Sequence, residues 1–140
     1  MQGWEPLWRR DAVAAQWLDP DPSVLAVADR LRAEGVRRVY DLGCSVGRHA
    51  AALAERGFSV VASDLSPTAL QRCQAALGRL GAPTSLLEAD MRRLALADRS
   101  VDWVLAYHVL YHATANEVAA SFGEIRRVLA RRPTDAAARP

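Results

Sequence analysis

Two acidic residues, each at the end of an apolar run, restrict the fold of this 140-residue chain more than any other feature. The run over residues 36–42 contains Asp41 and leads into the short turn Gly43–Gly47. An alanine-rich helical stretch follows, and a second apolar run, 58–63, ends at Asp64. A strand, a tight turn, a helix and another strand in this order predict two parallel strands with the helix packed on the sheet.

The rest of the chain continues this alternation. Apolar runs predict further strands over residues 84–89 and 101–107, and helical spacing predicts helices between and after them. Three of these helices have N-cap signals, which are Asp21 before Pro22, Ser66 before Pro67, and the capping box of Thr114 with Glu117. The strands are nearly continuous apolar runs, as in sheets covered on both faces. We therefore predict the α/β class, a doubly wound, mostly parallel sheet of four strands with helices on both faces.

The predicted organisation is a single domain in three parts. Residues 1–34 form N-terminal helices, one of them from Glu5 to Trp17, residues 35–130 form the core, and residues 131–140 form a disordered tail. The last helix has an apolar stripe of Val118, Phe122, Ile125 and Leu129. Since no strand is predicted after this helix, we expect a truncated sheet.

Composition excludes several classes of function. The formal net charge is +2, and the eighteen basic residues, all arginine, are scattered, so no nucleic-acid partner is expected. No apolar run approaches the roughly 20 residues of a membrane span, and the N-terminus lacks a signal-peptide pattern. Cys44 and Cys73 are too few for a disulfide framework or a zinc site. They are interpreted as reduced thiols, which indicates a cytoplasmic protein.

The glycine turn predicts the ligand. In open parallel sheets, ligands bind beyond the carboxyl ends of the strands. Gly43 and Gly47 allow a ligand to approach the backbone and are expected to supply free amides at the start of the next helix. An acid such as Asp64 accepts hydrogen bonds from a ribose diol. These features predict a nucleoside-containing cofactor. The dinucleotide pattern G-x-G-x-x-G fits poorly, since its second and third glycines fall on Ser45 and Arg48.

The frame D-x-G-x-(G/S)-x-G fits better, and here the chain resembles the class I S-adenosylmethionine-dependent methyltransferases. The resemblance covers residues 36 to 129 and includes the segments EADMRRL, VDWVLAYHVLYH and EIRRVL. It implies S-adenosylmethionine as cofactor and a small-molecule methyl acceptor. The cofactor-binding residues that it implies are Asp41, Gly43, Cys44, Ser45, Gly47, Asp64, Leu65, Asp90, Met91 and Tyr107. The chain departs from the family at Ser45, where glycine is more usual.

The resemblance also suggests individual roles. Asp90 would bind the adenine amino group with Met91 beside the ring, and Asp64 would bind the ribose. His108 is the candidate general base, while Tyr107 and Tyr111 would orient the acceptor. The resemblance also implies that the N-terminal helices, with the tryptophans at 4, 8 and 17, form a lid over the cofactor on the substrate side. The alternatives are a core position for these tryptophans and a solvated loop position for Asp90.

Parts of the sequence also fit three other functions. Residues 43–47 also match G-x-S-x-G, the nucleophile turn of α/β-hydrolases, with Ser45, Asp90 or Asp102, and His108 as a triad. His108 and His112 have the i, i+4 spacing of metal ligands, but a structural or exposed histidine is the preferred interpretation, and no metal is expected. A non-catalytic cofactor-binding remnant or partner subunit is the rival that the missing strands favour.

The fourth predicted strand carries a prediction about assembly. With no strand after the last helix, one edge of residues 101–107 would stay unpaired and would expose Trp103, Leu105 and Tyr107. We therefore expect a homodimer joined at this edge, or an aggregation-prone monomer.

Overall fold

A computed structural model describes residues 3–130, and its sheet there has four parallel strands. They are β1 (Arg38–Leu42), β2 (Ser59–Asp64), β3 (Thr84–Glu88) and β4 (Trp103–Leu105). Their order across the sheet is β3-β2-β1-β4, so β2 and β3 are added on one side of β1 and β4 on the other. The predicted α/β class with a parallel sheet is confirmed. The predicted tail, residues 131–140, lies outside the described residues.

Helices connect and cover the strands. They are α1 (Glu5–Trp8), α2 (Asp11–Ala15), α3 (Pro22–Ala33), α4 (Arg48–Glu55), α5 (Pro67–Gly78) and α6 (Ala115–Val128), with a 3₁₀ turn over Leu110–His112. The three predicted N-caps are found, because side-chain oxygens of Asp21, Ser66 and Thr114 accept from the first turns of α3, α5 and α6. No helix among residues 3–130 is long and apolar enough to cross a bilayer.

The sheet separates two apolar clusters, because side chains alternate along a strand. On one face, Val39 of β1 packs with residues of α3, α4 and α5, including Ala28, Leu53 and Cys73. On the other face, Tyr40 and Leu42 of β1 pack with Val128 of α6 and with Met91. Helices therefore cover both faces, as predicted.

The single helix predicted over Glu5–Trp17 is wrong. Two short helices, α1 and α2, are separated by Arg9 and Arg10, and the backbone of Arg10 is extended. Arg72 of α5 donates to the backbone oxygen of Trp8 at 2.9 Å, and its guanidinium also binds Asp11 at 2.7 Å. These tertiary contacts hold the chain at the point where a continuous helix would have run on.

The predicted apolar stripe of α6 is wrong at Phe122, which is 57% exposed. Ser121 is buried in its place, and its hydroxyl donates to the backbone oxygen of Glu117 at 2.8 Å. The hydroxyl is therefore satisfied within the helix.

The outer edge of β4 also differs from the prediction. Strand pairing covers only Trp103–Leu105, and the chain after α6 forms a parallel bridge between Leu129 and Val101. The amide of Ala130 donates to the oxygen of Val101 at 2.7 Å, so this part of the edge is covered.

The expectation that the side chains of β4 expose apolar surface is wrong too. Leu105 is buried, and Trp103 is half-buried against Phe58, with ring centroids 5.9 Å apart.

Candidate functional site

A cavity of about 580 Å³ lies at the carboxyl ends of the strands, where the direction of the chain order changes. Its volume is in the range of about 300–1,000 Å³ that is typical of small-molecule sites. Most of the residues that the sequence analysis selected line it, namely Asp41, Gly43, Cys44, Ser45, Asp64, Leu65, Asp90, Met91, Tyr107 and His108. Gly47 is outside the lining.

Asp64 is held in a fixed orientation at the end of β2. The backbone amide of Ser45 donates to its Oδ2 at 2.9 Å, and the amide of Ser66 donates to its Oδ1 at 2.9 Å. Burial nevertheless raises the pKa of Asp64 above its ordinary value. Each carboxylate oxygen has two lone pairs, so both keep the capacity to accept a ligand hydroxyl.

The turn between β1 and α4 winds through the left-handed region at alternate residues. The φ angles are +73° at Gly43, +55° at Ser45 and +90° at Gly47. Three amides of the turn already donate hydrogen bonds within the protein. The amide of Cys44 donates to the backbone oxygen of Ser63, that of Ser45 to the carboxylate of Asp64, and that of Gly47 to the backbone oxygen of Cys44. The idea that this turn offers free amides is therefore wrong for these three. Instead, the turn positions Asp64 for a ligand.

Asp41 is the most buried acid of the site. Its carboxylate Oδ2 is buried beside the cavity and has no hydrogen-bond partner among the described residues. Burial, together with the nearby charge of Asp64, raises the pKa of Asp41 from 3.8 to about 7. A buried acceptor without a partner is costly, so this oxygen is the clearest unfilled position in the site.

Because the pKa of Asp41 is raised, the substitution Asp41→Asn should change the free energy of unfolding in a pH-dependent way. The protonated carboxyl is favoured in the folded state, so its contribution to stability is present below pH 4 and is lost as pH rises through 7. The asparagine variant does not titrate. Its free energy of unfolding, relative to that of the parent, should therefore increase between pH 4 and pH 7, as measured by urea unfolding.

The comparison with the parent is required because His49 titrates in the opposite sense. Burial lowers the pKa of His49 to about 4, so its contribution to stability is lost as pH falls below 6.5. A difference between variant and parent that stays constant from pH 4 to pH 8 would contradict the role of Asp41.

The hydrolase triad is not assembled. The hydroxyl of Ser45 is buried and has no partner among the described residues. Asp102 lies before β4, at the opposite end of the sheet, where it binds Arg38 at 2.8 Å. The carboxylate of Asp90 is held by Arg92 instead.

For Ser45→Gly, we expect stability and ligand affinity to hold or rise. A non-glycine residue at φ +55° carries a cost of about 1–2 kcal/mol, and the serine hydroxyl makes no hydrogen bond that would be lost. Thermal unfolding and ligand titration of the variant check this expectation. Covalent labelling of Ser45 by a serine-directed phosphonate would contradict it and support the hydrolase.

Asp90 and Met91 form another side of the cavity. Met91 is buried, whereas Asp90 is partly exposed and makes a bidentate contact with Arg92, whose side chain also reaches Glu117 at 3.3 Å. The hydrogen bond from Arg92 lowers the pKa of Asp90. Asp90 is therefore an ionised acceptor that lines the cavity.

Tyr107 and His108 lie just after β4. The hydroxyl of Tyr107 donates to Asp21 at 2.6 Å, which raises the pKa of the phenol, so its proton is committed to Asp21. His108 is exposed and its ring is stacked on Tyr107, with centroids 4.3 Å apart. His49 is buried behind them and accepts from the amide of Asp21 at 3.0 Å, a structural role.

Among residues 3–130, no cluster of side chains could hold a metal ion.

Sequence reasoning missed Glu5 and Arg48, both of which line the cavity. Glu5 accepts hydrogen bonds from the hydroxyls of Ser66 and Thr68, which lower the pKa of Glu5 to about 2 and fasten α1 to the start of α5. No local signal could reveal a contact between residues so distant in sequence. The position of Arg48 directly after the glycine turn was a usable signal.

This sheet, with its glycine turn and the acid at the end of the second strand, defines a domain of the class that binds nucleoside-containing cofactors. Comparison with known families is more specific. The model of the methyltransferase domain family matches residues 39–132, which is more than half of the chain. The chain belongs to this family, and its recognition as a class I S-adenosylmethionine-dependent methyltransferase is confirmed.

Individual relatives agree with this assignment. The chain is 38% identical over 72 residues to the carboxy-S-adenosyl-L-methionine synthase of Erwinia tasmaniensis, covering 46% of this chain and 28% of that protein. It is 34% identical over 94 residues to the Bacillus subtilis protein YqeM, named as a methyltransferase, covering 66% of this chain and 38% of that protein. The chain thus spans well under half the length of these two relatives.

A solved structure gives the same result for the fold. The magnesium protoporphyrin IX methyltransferase of Synechocystis PCC 6803, with bound S-adenosylhomocysteine, superposes with a TM-score of 0.66 at 26% identity. The match covers 76% of this chain and 50% of the Synechocystis chain.

Proposed function

We propose that this chain binds S-adenosylmethionine in the cavity and transfers its methyl group to a small-molecule acceptor. The observation that carries the proposal is the placement of Asp64, which the turn amide of Ser45 fixes at the cavity next to Gly43. A carboxylate held in this way suits the two hydroxyls of a ribose. Membership of the methyltransferase family supports the proposal.

The residues present fit the cofactor. The unpartnered Oδ2 of Asp41 is an acceptor for a cationic or hydroxyl donor, and the ionised Asp90 beside buried Met91 suits the amino group and ring of adenine. When bound, the cofactor would supply a reactive sulfonium methyl group. The protein's contribution is then to position the reactants and exclude water.

His108 is the side chain that we propose as general base for the acceptor. It lines the cavity, is exposed to an entering molecule, and is held by stacking on Tyr107. Because Tyr107 donates its proton to Asp21, its contribution is to position His108 rather than to exchange a proton with the acceptor. Tyr111, which is 66% exposed, would orient the acceptor at the mouth.

Calorimetric titration tests cofactor binding directly. We expect S-adenosylmethionine and S-adenosylhomocysteine to bind and NAD not to bind, because the turn lacks the glycine pattern of dinucleotide sites. Binding of NAD without binding of S-adenosylhomocysteine would overturn the assignment.

Methyl transfer requires its own test. Incubation with S-adenosylmethionine and a panel of small-molecule acceptors should produce S-adenosylhomocysteine. Binding without turnover would instead favour the rival, a non-catalytic cofactor-binding subunit.

We further propose that the protein acts in the cytoplasm and without a nucleic-acid or membrane partner, consistent with its free thiols and low net charge.

We also propose a homodimer through the edge of β4. In residues 3–130, the pairing partner of Trp103–Leu105 is β1 alone, so the backbone groups on the outer side require water or another strand. Sedimentation equilibrium should show a dimer, with slow amide exchange in these residues at high concentration only. A stable monomer over the whole concentration range would contradict this proposal.

A further inference from the structure

Aromatic side chains from the N-terminal helices and from the segment after β4 line the cavity and contact one another in series. The N-terminal arc consists of Trp17, Trp8 and Trp4. The ring centroids of Trp17 and Trp8 are 6.2 Å apart, and those of Trp8 and Trp4 are 5.9 Å apart in a stacked arrangement. All three line the cavity.

The second arc follows β4 and continues from the first. The ring centroids of Trp4 and His112 are 4.9 Å apart, and those of His112 and Tyr111 are 3.9 Å apart. The ring centroids of Tyr111 and His108 are 5.7 Å apart. The stacking of His108 on Tyr107 completes this arc.

Arg48 closes the circle between the two arcs. Its guanidinium lies over the ring of Trp17 at 4.9 Å and over the ring of Tyr107 at 5.6 Å. We name these seven rings and Arg48 the aromatic collar. An acceptor that binds in this part of the cavity would contact π surfaces.

The charges around the collar decide which molecules suit it. Three carboxylates line this side of the cavity, and each has a partner in the described chain. Glu5 accepts from the hydroxyls of Ser66 and Thr68. Asp90 and Glu117 both form ion pairs with Arg92. Arg48, in contrast, makes no ion pair among the described residues, and its one hydrogen bond is to the backbone oxygen of Asp19. Beside the rings, a cationic acceptor would therefore find these three carboxylates already partnered, whereas an anion would find a guanidinium. The unpartnered oxygen of the cavity belongs to Asp41, which is buried at the end of β1 rather than exposed beside the rings.

From this arrangement we infer the acceptor class: a planar aromatic molecule that is uncharged or anionic, held by stacking within the aromatic collar. This inference rests on the proposed function, since it assigns the acceptor of the same site. Ring pairs at 4.5–7 Å separation are favourable beyond the area they bury, so a planar ring gains more here than a saturated one.

The test compares three matched probes on the protein saturated with S-adenosylhomocysteine. They are 2-naphthoate, its saturated counterpart decahydro-2-naphthoate, and the cation 2-naphthylmethylammonium, each titrated by ligand-observed NMR. We expect 2-naphthoate to bind tightest, by about tenfold over the saturated acid. Equal binding of the two acids, or tightest binding of the cation, would overturn the inference.

Substitution of Tyr111 places the probe in the collar. Tyr111→Ala and Tyr111→Leu should each weaken 2-naphthoate binding by about two- to tenfold, the range for loss of one aromatic pair. Phe122→Ala is the matched control, because Phe122 is similarly exposed but is not in the cavity lining, and it should leave binding unchanged. Unchanged binding in both Tyr111 variants would contradict the inference.

Calorimetry of S-adenosylhomocysteine on the same samples separates the two proposals. If the parent protein binds it and the probes show no preference, the acceptor class is wrong and cofactor binding stands. If the parent does not bind it, the proposed function itself fails. Retained binding in the Tyr111 variants shows that they are folded.

Discussion

Replacing Asp64 by alanine is expected to weaken S-adenosylhomocysteine binding by roughly 1.5–3 kcal/mol, the range for hydrogen bonds to a charged group. The carboxylate is positioned by the amides of Ser45 and Ser66 and faces the cavity, so its loss removes two oriented acceptors. Isothermal titration calorimetry measures the change directly. Asp64→Asn, which keeps one acceptor oxygen and the side-chain shape, should fall between the alanine variant and the parent.

Glu88→Ala is the control for this experiment. Glu88 pairs with Asp64 in the register of β2 and β3, but its side chain is exposed and is not in the cavity lining. Its removal should leave the affinity unchanged. An Asp64→Ala variant that folds and binds as well as the parent would refute the placement of the cofactor.

The second large effect concerns the fold beneath the site. Gly47→Ala should lower the free energy of unfolding by about 2–4 kcal/mol, from a left-handed backbone and an overpacked contact. The glycine has φ +90°, and an added Cβ would lie 2.7 Å from Sγ and 3.0 Å from Cα of Cys73 in α5. The contact with Cα involves backbone, so it cannot be relieved by a side-chain rotation. Urea unfolding followed by circular dichroism measures the loss.

Gly78→Ala gives the matching substitution at an unconstrained position. Gly78 is in α5, and nothing lies within 4 Å of the Cβ that it would acquire. The exchange should raise stability by about 0.5–1 kcal/mol, since alanine is the better helix former. If both variants lost the same stability, the close contact of Gly47 with Cys73 could not be the cause.

Local patterns predicted much of this protein because many of its determinants are local. The N-caps at Asp21, Ser66 and Thr114 act within three residues of themselves, and the strand-ending positions of Asp41 and Asp64 follow from alternation of strands and helices. The parallel register then brings the ends of neighbouring strands together. These elements and site residues were therefore accessible from the sequence.

The errors share a different origin, which is contact across the chain. The break after α1 depends on Arg72, and the role of Glu5 depends on Ser66, over 60 positions away in each case. The hydrogen bond from the hydroxyl of Tyr107 to Asp21 also joins residues that are distant in sequence. Periodicity and spacing contain no information about such pairs.

The origin of the aromatic collar has a consequence for the order of folding. The floor of the cavity depends on pairings such as Asp41 with Ala62 and Asp64 with Glu88, whereas the mouth joins Trp4 to His112. Closing a longer loop costs more entropy, so contacts between near neighbours in sequence tend to form first. The floor should thus assemble while the mouth is still open. A cofactor that binds at this stage would enter through a wide opening, and the rings would then close around it as the N-terminal helices meet the segment after β4.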